Sequence, residues 1–184
     1  MRSTIRKRTY LAIYRLLDRV SPIDGDCGLL CGSACCMGGH AGDPGSGDDS
    51  NGNPVGIYLL PGEEKVHSKH DEWLDWAEDD ADDYDFPDSW TGKVYFINCK
   101  TPPYCPREKR PLQCRTFPLT PHLDENDELS LVYNDLELPY ACPLIYEAIP
   151  LNDDFVKATL TVWKHLVRDP LIYDLVKMDS LERE

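Results

Sequence analysis

Apolar side chains recur at helical spacing near both ends of the chain and fall into short runs between them. From residue 4 to 20, Ile5, Leu11, Ile13, Tyr14, Leu16, Leu17 and Val20 make one apolar face, and Pro22 with Gly25 stops the helix they predict. Near the other end, Phe155, Val156, Leu160, Trp163, Leu166 and Val167 form a second stripe. Asn152 or Asp153 can cap that helix, which is expected to run to about Arg168. Asp169-Pro170 then starts a short final helix, proline being suited to a first helical position. The pattern gives an N-terminal helix in residues 1–22 and C-terminal helices in residues 152–180.

Between these ends the periodicity breaks up. Gly56–Leu60, Lys93–Cys99 and Leu129–Tyr133 read as short strands. Pro61-Gly62-Glu63-Glu64 predicts a helix through about Ala77, its acids suiting the helix dipole. From Asp71 to Asp88 there are ten acids and no base, expected to be a solvated, mobile insertion. That stretch lacks the D-x-D-x-D-G spacing of a calcium loop. Thr101 to Pro121 reads as a proline-rich loop. The expected fold is α+β, small and irregular, one domain in which terminal helices surround a loop-rich, cysteine-bearing centre with a few short strands.

Charge narrows the partners. A net charge of −14 argues against general nucleic-acid binding, which needs a basic surface. Six of the 19 basic residues lie in the first 20 positions, so the N-terminal helix is basic and amphipathic. Arg15 interrupts its apolar residues, leaving neither the run of a secretory signal nor, anywhere, the length of a membrane span. The expectation is a soluble, cytoplasmic protein, with no nucleic acid and no membrane span; a protein partner is left open.

That compartment changes the meaning of the eight cysteines: Cys27, Cys31, Cys35, Cys36, Cys99, Cys105, Cys114 and Cys142. Outside the cell an even number suggests disulfides; in a reducing cytosol it suggests metal ligands. Residues 25–56 hold ten of the 12 glycines together with the first four cysteines. Such a segment has little apolar surface to bury, so a bound metal is what would order it. The glycines, Gly38 and Gly39 among them, let one loop wrap an ion and turn several sulfurs inward. Cys99 ends a predicted strand, Cys105 and Cys114 lie in the predicted loop, and Cys142 precedes an apolar run. Adjacent side chains point apart, so Cys35 and Cys36 are not expected to serve one ion in the same way. A composite site is expected, with Cys31 and Cys35 or Cys36 from the early group and Cys114 with Cys99 or Cys105 from the late one.

The segment Arg110-Pro111-Leu112-Gln113-Cys114-Arg115-Thr116-Phe117-Pro118-Leu119 resembles the RPxxCRxFP signature of the YkgJ-type cysteine-cluster family. The early element of that family is CxxCxxCC, which Cys27, Cys31, Cys35 and Cys36 resemble with three residues in the gaps where the family has two. The Cys142-Pro143 pair and the segment Gly56 to Glu64 also have counterparts there, so the resemblance covers residues 24–147. It implies a zinc- or iron-chelating domain with no assigned reaction. A similar cluster in flagellin lysine methylases points to the alternative, a redox-active or catalytic protein-modifying enzyme.

Arg110 and Arg115 flank Cys114 and are candidate cofactor contacts, because a guanidinium offsets thiolate charge. His40 and His122 are the histidines nearest the cysteines in sequence and could complete a site. His67, His70 and His165 fall on predicted helices and read as structural. The cofactor implied is zinc or an iron–sulfur cluster. No phosphate loop or nucleophile elbow accompanies it.

Overall fold

The N-terminal helix α1 forms at Lys7–Leu17, and its buried face of Tyr10, Ile13, Tyr14 and Leu17 sets the main core. Arg6, Lys7, Arg8 and Arg15 stay exposed, as the charge pattern requires. The computed structural model describes residues 2–36, 56–100, 102–134, 138 and 140–183. His40, Gly38 and Gly39, and the metal-ordering expected of residues 37–55, lie outside the described residues. Among the described residues there are six helices and two small antiparallel sheets, the α+β class the sequence implies.

After α1 come the short helix α2 (Gly28–Cys31) and strand β1 (Gly56–Tyr58). The helix expected from Pro61 to Ala77 does not form. A single 3-10 turn, Glu63–Lys65, is followed by a loop and then by strand β2, Leu74–Asp80. Gly62 lies at φ +92°, outside helical space, and a Cβ there would meet Ser3 Oγ at 3.0 Å and the Ile5 carbonyl at 3.1 Å. His67 and His70 accordingly sit in the loop, not on a helix; His165 is helical as expected. The acidic stretch is therefore not a loose insertion, since Leu74 to Asp80 pairs along its whole length with β3, Lys93–Cys99.

β3 is the centre of a three-stranded sheet in the order β1-β3-β2. Gly56 faces Asn98 so closely that a Cβ would fall 1.8 Å from its Oδ1. The two-residue period sends Val94 and Phe96 to the main core, and Tyr95, Ile97 and Cys99 to a smaller cluster with Leu59, Trp73 and Leu74. Cys105 packs against that same small cluster.

The loop expected from Thr101 to Pro121 contains more structure than its prolines suggest. Helix α3 spans Leu112–Thr116 and carries Cys114, so this cysteine is helical rather than on a loop. Strand β4 (Leu119–Leu123) pairs with β5 (Leu129–Tyr133). Helix α4 (Pro143–Tyr146) begins directly after Cys142. The C-terminal pair follows as α5, Asp153–Leu166, and α6, Pro170–Leu181. Their buried faces, including Val162, Trp163, Leu166, Ile172 and Leu175, close the main core against α1. Asp169 caps α6 through Leu171 N–H and also accepts from Ser3 and Thr4, fastening the N-terminal strand of chain to the last helix. Asn152 does not cap α5 with its side chain; that amide donates instead to Ser21 O and Asp24 Oδ1.

Candidate metal centre

Three separate stretches of chain bring cysteines to one cavity of about 260 Å3. Cys27, Cys35 and Cys36 come from the early group; Cys99, Cys105 and Cys114 come from the late one. β3 delivers Cys99 rigidly, and α3 delivers Cys114 with solvent access into the cavity. Arg107, Arg110 and Arg115 also line it, as do Gln113, Asn134 and Tyr140. None of the eight cysteines forms a disulfide.

Two expected ligands stand differently from the rest. Cys31 and Cys142 are not in the cavity wall. Their charges instead bear on Cys27, whose thiol is pushed up by burial first and then by Asp26, Cys31 and Cys142. Cys35 and Cys36 both line the cavity. They sit in the turn at residues 32–36, and each thiol bears on the other's protonation. His122 lies on β4, paired with Ser130, and is not among the cavity residues.

The electrostatics of the wall are those of a thiol cage. The bond from Cys35 brings Cys36 down to about 7, helped by Arg110, while Cys35 is pushed far up by the same bond and by burial. Burial, with Cys105 beside it, lifts Cys99 to about 11. Cys114 is raised by burial and by Cys36, Cys99 and Cys105, and Cys142 mainly by burial. Burial works against the Arg110 charge, but a hydrogen bond to Cys105 and the fields of Cys105, Cys36 and Cys114 outweigh it and hold the guanidinium more firmly protonated. Its Nε is buried without a partner, and no carboxylate among the described residues pairs with it. A half-buried cation set among thiols and lacking an acid is a place where thiolate charge is welcome.

A ring of long-range bonds holds α3 in place. Glu63, fully buried, accepts at Oε1 from Leu112 N–H (2.7 Å) and Tyr14 O–H (2.5 Å), and at Oε2 from Leu60 N–H (3.0 Å). Burial raises its carboxyl, and those three bonds pull the other way. Since Tyr14 gives its proton to Glu63, His67 donates from Nε2 to the Tyr14 oxygen at 3.0 Å and keeps Nδ1 buried without a partner. Burial holds His67 at about 4, so it is neutral. Gln113 donates to Tyr58 O at 2.8 Å, tying α3 to β1. Sequence reasoning missed Glu63, Gln113, Asn134 and Tyr140. Only Gln113, beside Cys114 inside the motif, offered a signal.

As the side chains stand, no three Cys, His, Asp or Glu groups among the described residues are gathered to hold an ion. The donor set nonetheless fits a soft metal, being thiols around a counter-cation. Binding there would displace protons from thiols such as Cys35, Cys99 and Cys114 that burial pushes up, and would draw the sulfurs inward. Among the described residues, no helix is long and apolar enough to cross a membrane. No family model, curated protein or solved structure gives a significant match to this chain.

Proposed function

We propose that this protein binds zinc or an iron–sulfur cluster through cysteines from both halves of the sequence, in a reducing, cytoplasmic setting. The observation that supports it most is the convergence of six cysteines, from three stretches of chain, on one cavity beside Arg110. Cys36, Cys99, Cys105 and Cys114 are the ligands favoured, because each bears electrostatically on Arg110 or on one another. The RPxxCRxFP resemblance supports the same reading, since its cysteine is Cys114. When bound, zinc would supply a closed structural tie or a Lewis acid, and a cluster would supply one-electron chemistry. The protein's own part is to present thiolates, offset their charge with Arg110 and exclude other cations by softness.

A second reading, a redox-active or catalytic site, is favoured by one feature. Structural zinc sites are closed, whereas this cavity is larger than an ion and has apolar walls from Leu17, Val20, Ile57 and Phe117. The absorption spectrum of anaerobically purified protein tests both. A brown protein with broad visible absorption indicates the cluster, and a colourless one with stoichiometric zinc indicates the ion. A colourless, metal-free protein would refute the reading.

A further inference from the structure

We propose that Arg115 is a positioning residue of the cysteine centre, setting where Cys105 and Cys114 stand relative to each other; this rests on the metal-binding reading above. Arg115 follows Cys114 directly on α3, and its guanidinium is engaged by groups other than the thiols. Nε donates to Arg110 O at 2.5 Å, Nη2 to Arg107 O at 2.8 Å and Nη1 to Asp18 Oδ1 at 2.5 Å. The face of the Tyr14 ring lies 4.1 Å from Cζ. Only 4% of the side chain is exposed. Each guanidinium nitrogen donates to a group other than a thiol, so Arg115 acts through those groups, while Arg110 is the arginine whose charge is held by the thiols.

The two carbonyls it grips are the informative partners. Arg107 and Arg110 bound the 3-10 turn that lies between Cys105 and Cys114. A guanidinium bonded to both fills that loop from inside and fixes its width. Each end of the loop carries a cavity cysteine, and Arg110 itself presents the half-buried cation beside Cys105. The grip is anchored outside the loop, on Asp18 and Tyr14 at the end of α1. The N-terminal helix therefore serves the centre as a fixed wall against which the cysteine loop is braced. Planar, forked donors are needed for this, and the single point charge of lysine cannot make the same set of bonds.

The test uses the full chain with zinc and cobalt(II) as probes, in wild type, Arg115→Lys and Asp18→Asn. Groups behind metal ligands typically change affinity about 10–100-fold when removed. Arg115→Lys is expected to weaken zinc, measured against a competing chelator, within that range and to shift the cobalt(II) ligand-field bands. In the metal-free chain it should also change the ratio of alkylation rates at Cys105 and Cys114. Asp18→Asn, which keeps the fork but loses its anchoring charge, should move all three readouts the same way by less. A merely stabilising arginine would lower the unfolding midpoint and leave affinity, bands and rate ratio as in wild type, and that result overturns the proposal. If Arg115→Lys fails to fold, the same readouts on Asp18→Asn decide. A wild-type chain that takes up neither probe would overturn the metal reading, and this inference with it; wild-type uptake with unchanged variants overturns this inference alone.

Discussion

Glu63→Ala is expected to cost about 3–5 kcal/mol of stability, because it strands three buried donors at once, each worth about 1–3 kcal/mol when unsatisfied. Tyr14 O–H, Leu60 N–H and Leu112 N–H all end on this one carboxylate, in a place fully closed to water. For a chain of this length the unfolding midpoint should fall by roughly 10 °C or more. Glu63→Gln keeps one acceptor oxygen, which can serve Tyr14 O–H and Leu112 N–H, but sets its amide NH2 against Leu60 N–H, so it should lose less than alanine and more than nothing. The contrast, read by thermal unfolding followed by circular dichroism, separates a hydrogen-bond hub from a space-filling side chain. An alanine variant within about 1 kcal/mol of wild type, by the same scale of unsatisfied donors, would remove Glu63 from the account of how α3 is held.

The second large effect concerns the cysteines. Single Ser replacements at Cys36, Cys99, Cys105 or Cys114 are expected to abolish stoichiometric metal, since each deletes a soft ligand that a hydroxyl does not replace. Cys142→Ser should retain it. Cys142 is 6% exposed, outside the cavity wall, and its thiol sits where it packs at the start of α4. Cys142→Ser is thus expected to weaken folding modestly and leave metal per chain unchanged. Loss confined to variants from one half of the sequence would rule out a composite site.

The terminal helices were legible because period 3.6 survives where one face is buried, as Tyr10, Ile13, Tyr14 and Leu17 show on α1. β2 was not, because its alternation is hidden by acids on both sides of Trp76 and its pairing with β3 is a tertiary fact. Glu63 reads in sequence as a dipole-facing acid at a helix start. Its role as an acceptor for Tyr14 and Leu112, 49 residues away in each direction, has no local trace. The cysteine stretches announced themselves by spacing and by the RPxxCRxFP resemblance. Which of them meet did not, because Cys99 is placed by strand register and Cys31 is turned out of the cavity wall by the α2 turn. That Cys35 and Cys36 both line the cavity is set by the turn at residues 32–36, which their spacing does not announce.

The most direct test of a cysteine-held metal is to count protected thiols and metal together on protein purified without oxygen. Native alkylation followed by intact mass should leave at least four of the eight cysteines unmodified, Cys36, Cys99, Cys105 and Cys114 among them, in protein that carries stoichiometric zinc or iron. Chelation should make all of them reactive. Full alkylation of all eight in the native, metal-free protein would contradict the account.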